Sequence, residues 1–256
     1  VIFPLAVFVL LVALVAGSLF VPQLEVKQVS VQGAQTISST EIAGLAPVPE
    51  HRNILAYYIL HSRALSRKIE KAEPAVQSAK ITVQLPDTLV VTIAERQPYA
   101  VLNMGGNYWV LDIHGVPFRQ VAIRPSGLPC VVMPPGALNP VLGQSIPLSD
   151  STPMGAFYQA IVLLSSQRMA ILSKIREITV DQNANLCLNM TNNLQIRLGQ
   201  SDNLAQKLAL AATALNEDTS LLERAQYLDF TDPQRPAWKP RSPVVPVAPL
   251  PRDNDD

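Results

Sequence analysis

From Ser78 the chain alternates strictly: Ala79, Ile81, Val83 and Leu85 are apolar, while Ser78, Lys80, Thr82 and Gln84 are polar. That is the period of a half-buried strand. Pro86-Asp87 supplies turn chemistry, and Leu89, Val91 and Ile93 resume the alternation with β-branched residues. The pattern predicts a β-hairpin over 78–100, closing on Glu95-Arg96 before Pro98, with Ile81, Val83, Val91 and Ile93 turned toward helices. Upstream, Val29 and Val31 mark a short strand ended by Gly33. Ser38 and Glu41 have capping-box spacing, with Ile37 and Ile42 at the staple positions, so a short helix starts there and stops before Pro47 and Pro49. A second helix is predicted from Ser62 to Glu73. Leu65, Ile69 and Ala72 form its apolar stripe, Arg63, Arg67, Lys68, Glu70 and Lys71 lie opposite, and Pro74 stops it. The order between Leu24 and Arg96 is β-α-α-β-β, with both helices expected on one face of a three-stranded sheet.

Beyond Pro98 the pattern is mostly strand. Ala100–Leu102 and Tyr108–Leu111 precede a turn at Asp112-Ile113-His114-Gly115, which leads into Val116-Pro117-Phe118. A loop rich in Pro and Gly is expected from Arg124 to Pro153. Phe157, Ala160, Ile161 and Leu164 then have helical spacing. Three strands follow, around Ile178/Val180, Leu186/Leu188/Met190 and Leu194/Ile196/Leu198, and then a helix from about Asn203 to Leu215 carrying Lys207. Tyr227–Phe230 and Pro236–Lys239 read as the last strands. Pro236 and Pro240 restrict the second of these to an edge. After Arg241 the stretch SPVVPVAPLPRDNDD is proline-rich with an acidic tip, and is expected to be extended or disordered.

The first charged residue is Glu25, and Val1–Val21 is apolar apart from Pro4, Gly17 and Ser18. About 20 such residues span the ~30 Å hydrocarbon core, so this run reads as a transmembrane helix. A cleaved signal peptide is the rival, with Ala16-Gly17-Ser18 as the small-residue site. The continuation through Leu19-Phe20-Val21 favours the span. Lys+Arg and Asp+Glu balance at 20 each, which gives no basis for a nucleic-acid surface. Cys130 and Cys187 lie in strand-like apolar runs and read as two buried free thiols rather than a bridge.

Catalytic chemistry is not indicated. His51, His61 and His114 have no Cys or carboxylate at metal-ligand spacing, and Asp112 near His114 suits a turn. Gly105-Gly106 lacks the strand-loop-helix setting of a phosphate loop and suits a hairpin turn. The basic face of the second helix reads as solvated, and Trp109 as core. Trp238, beside Pro236, divides between core packing and a partner contact.

Taken together, the apolar run, the β-α-α-β-β unit, Val31-x-Gly33, Asn53-Ile54-Leu55, Pro74-x-Val76, Leu85-Pro86-Asp87-Thr88-Leu89 and Glu95-Arg96-Gln97-Pro98 resemble the FtsQ/DivIB type of bacterial cell-division protein. The step from Asp112 through Gly115 to Phe118, Leu198-Gly199 and the helix bearing Lys207 are also similar to that family. Asp229-Phe230-Thr231 departs from its usual Asp-Leu-Arg. The resemblance implies an α+β chain: a transmembrane helix over 1–22, a POTRA domain over 24–97, a mostly antiparallel β domain with flanking helices over 98–240, and the tail 241–256. It implies no enzyme, no cofactor and no metal. It also implies a scaffold at the septum, on the outer side of the plasma membrane, whose β domain binds an FtsB/FtsL-type pair. The physical means would be strand addition at an open edge, with Tyr227, Leu228, Phe230 and Trp238 as candidate contacts. A POTRA module handling polypeptides in membrane-protein assembly or secretion is the alternative. The alternating segments of a transmembrane barrel do not follow, which counts against it.

Overall fold

The computed structural model describes residues 24–47, 52–149, 151–166 and 170–241, together with Val7, Leu10 and Gly17. Those last three are helical, and the rest of the expected span lies outside the described residues, as do His51 and the tail beyond Arg241. Among the described residues no helix is long and apolar enough to cross a membrane. The chain forms two compact units. One comprises the chain up to Ala100 with Asn107–Arg124 and Asn139–Ile146; the other comprises Val101–Gly106, Pro125–Leu138 and the chain from Pro147. The two units alternate along the sequence.

The first unit begins β1 (Gln28–Gln32), α1 (Ser39–Leu45), α2 (Ile54–Ala72), β2 (Val76–Gln84) and β3 (Thr88–Glu95). Its three-stranded sheet has the order β1-β3-β2, with β1 parallel and β2 antiparallel to β3. The hairpin register sets Ile81 opposite Val91 and Ala79 opposite Ile93. Those residues join Leu65 and Ile69 of α2 and Ile42 of α1 in one buried cluster, with Val83 partly buried against it. Each large side chain so buried contributes about 1.5–3 kcal/mol. Gly33 ends β1 at φ +84°, where a Cβ would collide with the Ile93 carbonyl, so only glycine lets β1 lie this close to β3.

Helix α1 starts where expected but without the expected cap, and α2 starts earlier than expected. Ser38 precedes α1 without a side-chain cap, and its hydroxyl meets that of Thr40 at 2.7 Å instead. Helix α2 begins at Ile54 rather than Ser62, because the Asn53 carboxamide oxygen accepts from the N–H groups of Leu55 and Ala56. Ile59 and Leu60 in its first half are 70% and 74% exposed, which blurred the apolar stripe there. Arg63, Arg67, Lys68 and Lys71 are exposed, as a solvated face requires.

The Glu95-Arg96 pair ties three segments of this unit together. The Glu95 carboxylate accepts from the N–H groups of Gln35, Thr36 and Ile37 and from the Thr36 hydroxyl, fixing the loop between β1 and α1. Burial acts to raise the Glu95 pKa, but those donors together bring it down to about 2. Arg96 donates from Nε to the Pro74 carbonyl at 3.1 Å and from Nη1 to Asp112 Oδ2 at 2.6 Å. Asp112 is only 3% exposed, and its Oδ1 accepts from the N–H groups of His114 and Val116, which makes the expected turn. Because the folded pKa of Glu95 lies below its ordinary 4.5, its contribution is complete above pH ~4.5 and is lost as pH falls toward 2. The gap in urea midpoint between the natural chain and Glu95→Gln is expected to shrink over that window; a gap constant from pH 5 to 2 would contradict the assignment.

After β3 the chain continues through β4 (Ala100–Met104), β5 (Asn107–Leu111), β6 (Pro117–Val121) and β7 (Cys130–Met133). β5 and β6 are an antiparallel hairpin of the first unit. Gly105 and Gly106, at φ +61° and +84°, make the turn that follows β4. The rest is α3 (Pro153–Ser166), a 3-10 turn (Ala170–Lys174), β8 (Ile175–Val180), β9 (Leu186–Met190), β10 (Gln195–Gly199), α4 (Leu204–Glu217), α5 (Leu221–Arg224), β11 (Ala225–Asp229) and β12 (Ala237–Pro240).

The strands of the second unit are neighbours in the order β12-β11-β10-β9-β8-β7-β4. The sheet is mixed, not mostly antiparallel: β4–β7, β7–β8 and β10–β11 are parallel, and β8–β9, β9–β10 and β11–β12 antiparallel. β7 lies inside the expected Pro/Gly loop, where Cys130–Met133 is too short to show a period. β11 becomes parallel to β10 because α4 and α5 carry the chain back across the sheet. Helices α3 and α4 pack against β8 and β10. The core takes Phe157, Ile161, Leu208, Ile178, Ile196 and Leu228. Lys207 is 1% exposed, and its Nζ donates to the Gln200 carbonyl at 3.0 Å and to Asp202 Oδ1 at 3.1 Å, which holds the turn into α4.

Candidate functional site: the β12 edge

The four residues singled out at the end of the fold do not converge. Leu228 and Phe230 are 2% and 4% exposed and belong to the core, so their apolar character serves packing. Strand alternation and register decide the rest. Tyr227 and Asp229 point to the sheet face opposite Leu228, whereas Trp238 stands directly across from Leu228 and shares its face. Tyr227 is half-buried under the Arg197 guanidinium, 3.9 Å from its ring centroid. Trp238 is 46% exposed, with Arg224 5.8 Å from its ring centroid.

β11 is enclosed, paired with β10 on one side and β12 on the other, so among the described strands the open edge is that of β12. All of Ala237–Pro240 is exposed. The end of the strand is pinned by Arg241, whose backbone N–H donates to the Arg224 carbonyl at 2.8 Å. Its guanidinium donates to the carbonyls of Ala225 at 3.0 Å and Asn192 at 2.6 Å. The sequence reading missed Arg241 and Arg197, since neither occupies a motif; one locks the edge and the other braces Tyr227.

An open groove of about 850 Å³ runs along the sheet of the second unit past Val132, Thr179, Cys187, Arg197 and Asp229. Burial raises the Cys187 thiol above its ordinary range, Arg197 opposing and Asp229 reinforcing this, so the group is a poor nucleophile at neutral pH. Neither Cys130 nor Cys187 is in a disulfide; the former is buried and the latter half-buried. Among the described residues no group of His, Cys, Asp or Glu is arranged to hold a metal. His61 is exposed and stacks on Tyr57 at 4.8 Å, and His114 is exposed at the Asp112 turn. Trp109 is half-buried.

The chain matches two family models in succession: the FtsQ-type POTRA domain over residues 24–96, and the FtsQ/DivIB cell-division protein C-terminal domain over residues 100–230, which ends before β12. It is 28% identical over 225 residues to the cell division protein FtsQ of Anaeromyxobacter sp. (strain K), covering 84% of this chain and 70% of that one. It is 26% identical over 221 residues to the FtsQ of Geotalea daltonii, covering 85% and 75%. It is 22% identical over 237 residues to the cell division protein DivIB of Clostridium acetobutylicum, covering 88% and 86%. With both domains matched in order and relatives of that name aligned over most of its length, the chain belongs to the FtsQ/DivIB family of cell-division proteins.

Proposed function

We propose that this chain is a non-enzymatic scaffold of the division machinery, anchored in the plasma membrane by Val1–Val21, with its two units on the outer side at the septum. It recruits division proteins by presenting the β12 edge to an extended partner segment, and an FtsB/FtsL-type pair is the partner that the family suggests. One observation carries this: a fully exposed strand, fastened by Arg241 and bearing an exposed Trp238, at an edge that no described strand pairs. Main-chain pairing would supply affinity there, and side chains on either face would choose the partner.

Trp238→Ala is expected to weaken capture of such a pair by about 1–3 kcal/mol, or about 5- to 150-fold in Kd, without moving the thermal transition. Titration by biolayer interferometry with the membrane-solubilised full chain measures this. Unchanged affinity would remove Trp238 from the interface.

A further inference from the structure

We infer that the pole of the first unit nearest the N-terminal run docks on the bilayer interface itself, through Ile59, Leu60 and Leu85. This rests on reading Val1–Val21 as the membrane span. Three backbone contacts define the pole. The Val26 N–H donates to the Arg52 carbonyl at 3.0 Å, Glu25 bridges Asn53, and the Lys27 N–H donates to the Asp87 carbonyl at 2.9 Å. The start of α2 and the tip of the β2–β3 hairpin therefore both sit beside the first described residues of the chain. At this pole the molecule leaves Ile59, Leu60 and Leu85 at 70%, 74% and 60% exposure, beside Tyr58 at 36%.

Chain length decides what faces them. Only residues 22 and 23 separate Val21 from Leu24. Extended chain covers at most about 3.6 Å per residue, so Leu24 lies within ~11 Å of the end of the span. The headgroup layer on each side of a bilayer is itself about 5–8 Å thick, so the pole is held in that layer or within ~6 Å of its outer surface. Side chains on a helix lean toward its N-terminus, so Ile59 and Leu60 point back toward the pole. Among the described residues beside the three contacts, Lys27 and Arg52 offset Glu25 and Asp87. A neutral rim around an apolar and tyrosine-bearing tip suits the headgroup level.

The test uses the full chain in a Cys130→Ala, Cys187→Ala background, reconstituted in phosphatidylethanolamine–phosphatidylglycerol vesicles. A fluorescent label is placed singly at Ile59→Cys, Leu85→Cys or, as a control, Lys71→Cys, which is exposed at the far end of α2, about 18 Å along the helix from Ile59. Lipids carrying a nitroxide quencher near the headgroup are expected to quench the labels at 59 and 85 at least twofold more than the label at 71. Equal quenching at all three positions in chains that float with the vesicles and resist carbonate would overturn this contact while leaving the anchor intact. Failure to float would overturn the anchor, and the contact with it.

Discussion

Val91→Asp unfolds the first unit, observed as loss of its thermal transition and rapid proteolysis between residues 24 and 96. Val91 is fully buried at the centre of the sheet, opposite Ile81 on β2 and Val31 on β1, in the cluster that includes Leu65 and Ile69. A carboxylate there must lose its hydration with no donor in reach, or take up a proton at a cost of similar size. Either course costs several kcal/mol. A unit built on a three-stranded sheet has ~5–10 kcal/mol to lose, so one such change exceeds most of it. The conservative Val91→Ala removes two methyl groups and is expected to lower the transition without abolishing it. A Val91→Asp chain that melts where the natural chain does would mean the buried face had been assigned to the wrong set of alternating residues.

The face of the hairpin was legible because strand alternation is a two-residue signal and Ala79, Ile81, Leu89, Val91 and Ile93 obey it with little interruption. The start of α2 was not, since Ile59 and Leu60 break the stripe and the cap, Asn53, lies just beyond a proline-rich stretch. The capping box at Ser38 was a spacing without its hydrogen bonds. β7 was not placed for a different reason: the run around Cys130 looked strand-like, but four apolar residues between β4 and β8, three of them buried, are too few to stand apart from a short apolar run in a loop. The mixed character of the second sheet follows from that missed strand and from the return path through α4 and α5, and neither is a local property. At the candidate edge, aromatic and apolar residue types drew attention to Leu228 and Phe230, which the register then places in the core. The functions of Arg197 and Arg241 depend on which ring and which carbonyls lie near them, information that only the fold supplies.

Deleting β12 abolishes partner capture while leaving the second unit folded. A chain ending at Asp232 keeps β11 with its buried Leu228 and Phe230, and loses β12, whose side chains are all exposed, together with the residues after it. A cut after Leu215 answers nothing, because it removes β11 and with it part of the core. The shorter deletion also removes Arg241 and its bonds to the carbonyls of Arg224, Ala225 and Asn192, so a modest fall in the melting temperature is expected. Proline sets the limits of the edge: Pro236 precedes the strand and Pro240 ends it, neither offers an N–H, and the pairing register is correspondingly short. A short edge blunts indiscriminate strand addition, so the side chains must supply selectivity. A chain ending at Arg241, which keeps the edge and discards the proline-rich tail, is expected to co-purify an FtsB/FtsL-type pair as well as the full chain does. If the chain ending at Asp232 captures that pair undiminished, the edge is not the interface. If the chain ending at Arg241 loses capture, the tail holds the contact.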